Sequence, residues 1–185
     1  MKVLAISGSL RRDSHNKTLL RAAAELLPPS VEVELFEGLK AVEPYDQDDD
    51  HGRGPAGVRR LRDAIESADA VLIATPEFNS SVPGQLKNAV DWASRPPLGS
   101  PLTGKHVALM GASTGRAGTA LAQQQLREAL EFPRAYVLDE PQVLVPEAYM
   151  RFDDRGELTD EGVRAELAEL VDTLVHVAGG VTLAA

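Results

Sequence analysis

No cysteine occurs anywhere in the 185 residues. That absence removes disulfides, thiolate metal sites, thiolate-held iron–sulfur clusters and thiol catalysis together. If the chain moves electrons, an organic cofactor must carry them. Basic residues are in deficit, with 19 Lys and Arg against 28 Asp and Glu and a net charge of −9. Such a surface repels polyphosphate, which excludes a general nucleic-acid binder. Any anionic ligand must be held by a local cluster working against the global field. Long apolar runs are missing too. Val3–Ile6 is too short for a signal-peptide core. The stretch Val171–Ala185 is interrupted by Asp172, His176 and Gly179-Gly180 and is too short to span a bilayer. The reading is a cytoplasmic protein with no membrane partner. Gly and Pro, at 15 and 12, are too few for a collagen-like or low-complexity chain.

What is present suits one globular domain over residues 1–185, with 43% apolar and 25% charged residues. Val3–Ser7 reads as a buried strand ending at Gly8. Leu19, Leu20, Ala23, Leu26 and Leu27 follow with helical spacing until Pro28-Pro29. Val31, Val33 and Leu35 alternate with Glu32 and Glu34, a strand with one wet face. An acidic loop over 37–55 leads to a helix marked by Val58, Leu61, Ile65 and Ala68. Ala70–Thr75 is a second apolar strand, and Pro83 opens a helix running to about Ser94. Pro96-Pro97 and Gly99–Gly104 read as loop, Val107–Ala112 as strand and Ala117–Glu131 as helix. Tyr136–Leu138 and Gln142–Val145 read as one strand interrupted by Asp139-Glu140-Pro141, which confines it to an edge or a bulge. Phe152–Leu158 is a short excursion turning at Gly156, and Thr159 is the expected cap of a last helix.

Five β-α units argue for a parallel sheet with helices on both faces. The first, third and fourth strands are apolar throughout and belong inside. The polar-faced second and the proline-bearing fifth belong outside. The order 2-1-3-4-5 satisfies this, so the fold class is α/β: a flavodoxin-like, doubly wound, five-stranded parallel sheet. Ligands in such a sheet bind beyond the carboxyl ends of the strands, here near the switch between the first and third.

Three loops lie at that end. The first, Gly8–Thr18, joins a strand to a helix N-terminus, where free N–H groups and the dipole attract anions. Ser9, Ser14, Asn16 and Thr18 can add hydrogen bonds, and Arg11 can pair with a phosphate. The loop matches neither G-x-G-x-x-G nor G-x-x-x-x-G-K-[ST]. Its donors suit one terminal phosphate; the plain alternative is a helix capped by Ser14 beside solvated arginines. The second loop, Thr75–Gly84, is stiffened by Pro76 and Pro83, so its backbone can read the edge of a flat ring beside Phe78 and Asn79. Trp92 reads as core, Lys87 and Asn88 as surface. The third loop, Gly111–Gly118, has small residues that permit close approach of a ligand.

Gly8-Ser9-Leu10-Arg11 with Ser14 and Asn16, Pro76–Asn79, Pro83-Gly84 with Leu86–Ala89 and Asp91-Trp92, and Gly111–Gly115 stand in one order over roughly residues 2–175. Together they resemble the NADPH-dependent FMN reductase family, and within it the chromate and quinone reductases. The resemblance implies noncovalent FMN, with Ser9, Arg11, Ser14 and Asn16 on its phosphate and the His15 amide beside them. It implies Pro76, Glu77, Phe78 and Asn79 along the isoalloxazine and ribityl chain, with Ser113 and Gly115 bordering the ring. NADPH or NADH then reduces the flavin, and a small-molecule acceptor (quinone, chromate, azo dye or free flavin) takes the electrons in a ping-pong cycle. No side chain is assigned as general acid or base. The family assembles as homodimers, often paired into tetramers. Two positions depart from its pattern: Phe78 stands where a tyrosine is usual, and Leu121 where an arginine is expected.

Two other readings compete. A flavodoxin-like electron carrier would bind FMN without its own nicotinamide activity. A serine hydrolase would use Gly111-Ala112-Ser113-Thr114-Gly115 as G-x-S-x-G, yet its only later histidine is His176, in an apolar helical stretch. Asp46, Asp48, Asp49, Asp50 and His51 lack metal-loop spacing and read as a solvated loop. Arg59, Arg60 and Arg62 read as the wet face of a helix, and His106 as structural.

Overall fold

Eleven regular elements build the protein in the computed structural model, which describes residues 1–96, 99–153 and 155–180. They are β1 (Lys2–Ser7), α1 (His15–Leu26), β2 (Glu32–Phe36), α2 (Ala56–Ser67), β3 (Ala70–Ala74), α3 (Gly84–Ala93), β4 (His106–Ala112), α4 (Ala120–Glu131), β5 (Tyr136–Val137), β6 (Val143–Val145) and α5 (Glu161–Ala178). Pro97 of the expected loop, Asp154 of the expected excursion and Val181–Ala185 of the apolar C-terminal stretch lie outside the described residues.

All strand pairs are parallel, and the sheet order is β2-β1-β3-β4-β5, with β6 also on β4. β1 sits centrally: Val3 pairs with Val33 of β2 on one side and Ala70 of β3 on the other. Because strand side chains alternate, each strand feeds two cores. Val3 and Ala5 pack toward α1 and α5, while Leu4 and Ile6 pack toward α2, α3 and α4. β1, β3 and β4 are covered on both faces, which is why they read as unbroken apolar runs.

The interrupted fifth strand is two short segments. Tyr136–Val137 pairs with the start of β4 and Val143–Val145 with its end. The stretch carrying Pro141 sits between them, consistent with a residue that cannot donate to a ladder. α4 begins at Ala120 rather than at Ala117, because Gly118 takes a left-handed φ of 62° that helix cannot continue through. The cap of α5 is Asp160, not Thr159: its carboxylate accepts from the Val163 N–H at 3.0 Å. The alternation in β2 also fails at Leu35, which is exposed on this edge strand.

Two expectations about charge are corrected. Arg62 is buried, not on a wet face: it donates to the Trp92 carbonyl and to Asp50, the latter at 3.0 Å. Asp50 also accepts from Arg95 at 3.0 Å, so this member of the acidic loop is a partly buried counter-ion rather than a freely solvated side chain. Trp92 is core, as its place among apolar residues suggests, and its indole N–H donates to the Glu43 carbonyl at 2.8 Å. Asn88 is not simply a surface position, since it bonds to the backbones of Glu43 and Tyr45. Lys87 is exposed and pairs with Asp91. No helix among the described residues is long and apolar enough to cross a membrane.

Candidate functional site

The first, second and third loops meet at the carboxyl ends of β1, β3 and β4 and enclose a crevice of about 210 Å³. Its lining brings together Ser9, Arg11, Ser14, His15, Asn16, Pro76, Glu77, Phe78 and Ser113, with Ala112 and Thr114 added. Asn79 and Gly115, expected in the same site, are not part of that lining.

On the first loop, Gly8 leaves β1 with its N–H on the Ala74 carbonyl at 2.8 Å. Ser14 caps α1 in extended conformation, its hydroxyl accepting from the Asn16 N–H at 3.2 Å. Among the described residues, nothing accepts from the backbone N–H groups of Leu10 through His15. Six consecutive N–H groups are therefore left without a protein acceptor. Arg11, Ser14 and His15 among them line the crevice, and Ser14 and His15 stand at the positive end of the α1 dipole. Arg11 is exposed and in no ion pair among the described residues. Amides, dipole and guanidinium form an anion cradle that the overall charge of −9 would not suggest.

Asn16 has a different place from the one expected. The residue is 3% exposed. It donates to the Ala112 carbonyl at 2.8 Å and accepts from the Ala112 N–H at 2.9 Å. That bidentate clasp ties the start of α1 to the end of β4, and leaves the side chain to brace the crevice floor. His15 stacks on Phe152, ring centroids 4.8 Å apart. Burial, then the nearby Arg11 charge, hold the imidazole below the usual histidine value of 6.5.

The second loop is a tight hairpin. Phe78 and Ser81 exchange backbone bonds at 3.1 Å, with Asn79 and Ser80 at φ 51° and 59° between them. Positive φ at both central positions is the two-residue turn that matches strand twist. α4 holds this hairpin: Glu77 caps the Ala122 N–H at 3.0 Å, and Gln125 bonds Ser81 and the Ser80 carbonyl. Glu77 thus fixes the loop while lining the crevice. Phe78 is 54% exposed, a flat apolar ring at the rim.

The third loop needs Gly111. A Cβ there would lie 2.2 Å from the Thr119 hydroxyl and 2.3 Å from the Thr75 carbonyl, so two loops close to contact across it. Ser113 donates its N–H to Val145 and accepts from the Gly115 N–H at 3.1 Å with its hydroxyl. No histidine lies within hydrogen-bond distance of Ser113 among the described residues, and His176 sits in α5 with a buried, unpartnered Nε2. The nucleophile–base contact of a serine hydrolase is missing. The arrangement grips the anionic end of a ligand and leaves a flat edge beside Phe78. It presents no activated nucleophile, so the bound molecule brings the reactivity.

Sequence reasoning missed Ala112, Thr114 and the Phe152 stack. Phe152 had a signal, as an aromatic in a short excursion, but its partner lies more than a hundred positions away. Whether the residues fit a flavin mononucleotide follows from the cradle. It matches one phosphate, and 210 Å³ is below the ~300–1,000 Å³ of a site enclosing a whole ligand. The crevice has room for the phosphate end of such a molecule, which Ser9, Arg11, Ser14 and His15 would hold.

Comparison with known proteins agrees. A family model described as NADPH-dependent FMN reductase matches residues 1–150. An NAD(P)H-dependent FMN reductase of Pseudomonas aeruginosa is 44% identical over 174 residues, 94% of this chain and 93% of that protein. A quinone reductase of Escherichia coli K12 is 38% identical over 98% of this chain and 92% of its own. Among solved structures, the flavoenzyme NAD(P)H:(acceptor) oxidoreductase FerB of Paracoccus denitrificans superposes with a TM-score of 0.85. It is 35% identical, covering 98% of this chain and 99% of that one.

Proposed function

The chain belongs to the NADPH-dependent FMN reductase family, and from that premise we propose that it binds FMN noncovalently and reduces small quinone-type acceptors at the expense of NADPH or NADH. The observation that carries the site assignment is the set of N–H groups without a protein acceptor on Arg11, Ser14 and His15, which line the crevice beside the unpaired Arg11 guanidinium. FMN, when bound, supplies the redox chemistry by taking a hydride from the nicotinamide and releasing electrons to the acceptor.

The residues bind and place. The Arg11, Ser14 and His15 amides, the Ser9 hydroxyl and the Arg11 guanidinium hold the phosphate. Ser14 shapes the helix end from which those amides project, and Asn16 braces that end against β4. Pro76, Glu77 and the hairpin carrying Phe78 and Asn79 form the wall along the ribityl chain and ring, with Ser113 and Gly115 opposite. Phe78 offers the ring an apolar edge without the hydroxyl that a tyrosine would add. Residues 1–185 act as one FMN-binding domain, in the cytoplasm, where nicotinamide donors are made. The assembly proposed is a homodimer; Phe78, Leu121, Tyr149 and Met150 are exposed apolar side chains available to it. Light scattering of the purified protein tests that assembly.

The decisive test is a visible spectrum. Protein incubated with FMN and desalted should be yellow, should bleach on anaerobic NADPH, and should recover its colour with a benzoquinone. Protein that stays colourless after FMN overturns the reading. Bleaching only through a partner protein would make it an electron carrier.

A further inference from the structure

Resting on that reading, we propose that a second crevice across the first loop binds the adenosine end of the donor and selects NADPH over NADH. This crevice is about 420 Å³ and lies between the first loop, α1 and the edge strand β2. The loop is a wall between two spaces. Ser9 borders both, Arg11 faces the flavin crevice, and Leu10 and Arg12 face the second.

The second lining has the chemistry of a nucleotide with an added phosphate. Arg12, Lys17, Arg21 and Lys40 converge on it, and none of the four forms an ion pair among the described residues. Elsewhere on this acidic chain, seven basic residues, Lys2, Arg53, Arg62, Lys87, Arg95, Arg127 and Arg151, are matched with carboxylates. Others such as Arg59, Arg60 and Arg116 are likewise in no ion pair among the described residues, so what sets these four apart is that they line one hollow. Four uncompensated cations in one hollow are therefore a local reversal of the global field. Lys17 and Arg21 stand one turn apart on α1, so their heads share a face. Between the cations lie Leu10 and Leu35, both partly open to solvent. Leu35 is the β2 position whose exposure broke the expected alternation, and an adenine ring would cover it. Glu37, the acidic residue of the lining, can accept from a ribose hydroxyl or the adenine amino group. NADPH differs from NADH by one phosphate on the adenosine ribose, the group that extra cations would read. The shared wall puts this end of the donor beside the phosphate end of the proposed flavin crevice.

The test uses Arg21→Gln together with Lys40→Gln, two exposed positions outside the flavin crevice. Calorimetric titration with 2′,5′-ADP needs no flavin. Wild type should bind it, and the double variant should lose about tenfold or more. In the FMN-bound enzyme kcat/KM for NADPH should fall about tenfold, through KM, while that for NADH falls less than about threefold. Arg21→Lys should retain most of the NADPH preference, and FMN affinity should be unchanged throughout. Equal losses for both donors, or 2′,5′-ADP binding that is absent or indifferent to the substitutions, would overturn the assignment. Failure of wild type to bind FMN would sink the flavin reading instead, and the nucleotide titration would still decide this crevice.

Discussion

At the floor of the proposed flavin crevice the Asn16 amide satisfies both backbone groups of Ala112, whereas the Arg11 side chain, on the same loop, makes no ion pair or hydrogen bond among the described residues. The two residues should therefore fail differently. Asn16→Ala leaves a buried N–H and a buried carbonyl without partners, at about 1–3 kcal/mol each. A urea midpoint shift corresponding to about 2–6 kcal/mol is expected. Arg11→Ala should leave the urea curve in place and weaken FMN by about 1.5–3 kcal/mol, read by fluorescence titration. The reverse pattern would exchange their roles. His15 supplies a third check. Its imidazole titrates below 6.5, through burial and then Arg11. A phosphate dianion bound beside it favours the charged form, so FMN should move the NMR midpoint of His15 upward. The residue types of this loop were readable as an anion site from order and composition. The clasp was not, because Asn16 and Ala112 are 96 positions apart and meet only once β1, β3 and β4 are side by side.

Among the elements, the hairpin at Phe78–Ser81 carries the clearest local conflict. Asn tolerates the left-handed conformation, but Ser80 at φ 59° lacks glycine's freedom. Ser80→Gly should raise stability by about 0.5–1 kcal/mol in denaturant unfolding, the relief of strain exceeding the added unfolded-state entropy. A loss would mean that the bonds from Gln125 and α4, rather than backbone strain, govern the turn. Strain next to a ligand rim is a common place for it to persist. The elements themselves were largely legible, since helices and strands announce themselves by period and by proline and glycine stops. The errors have specific causes. Gly118 in the left-handed region delays α4, and a carboxylate outcompetes a threonine hydroxyl for the cap of α5. Periodicity could not distinguish Arg62 from Arg59 and Arg60, because its burial depends on Asp50 and Trp92 arriving from other segments.

For the molecule as a whole, strand order followed from which strands could tolerate two covered faces, a global property written in local apolar runs. Electrostatics are less legible at this scale. A net charge of −9 hides both a cluster of unsatisfied donors at the first loop and a partly buried carboxylate that holds two arginines. Burial pushes the Asp50 carboxyl up, but hydrogen bonds from Arg95 and Arg62 outweigh it and keep it below the ordinary aspartate value of 3.8. A depressed folded value means that the unfolded chain takes up the proton first. The contribution of Asp50 is fully present above pH 3.8 and is lost as the pH falls through the folded value. Asp50→Asn removes that proton linkage and strands Arg62, whose side chain is 5% exposed. Breaking such a pair costs about 3–5 kcal/mol at neutral pH. Urea unfolding from pH 7 to pH 3 should therefore show wild type well above the variant at neutral pH and the gap narrowing below pH 3.8. A gap that stays constant to pH 3 would mean that Asp50 packs the 43–50 loop as a neutral shape, and that its charge contributes nothing to holding α2 against α3.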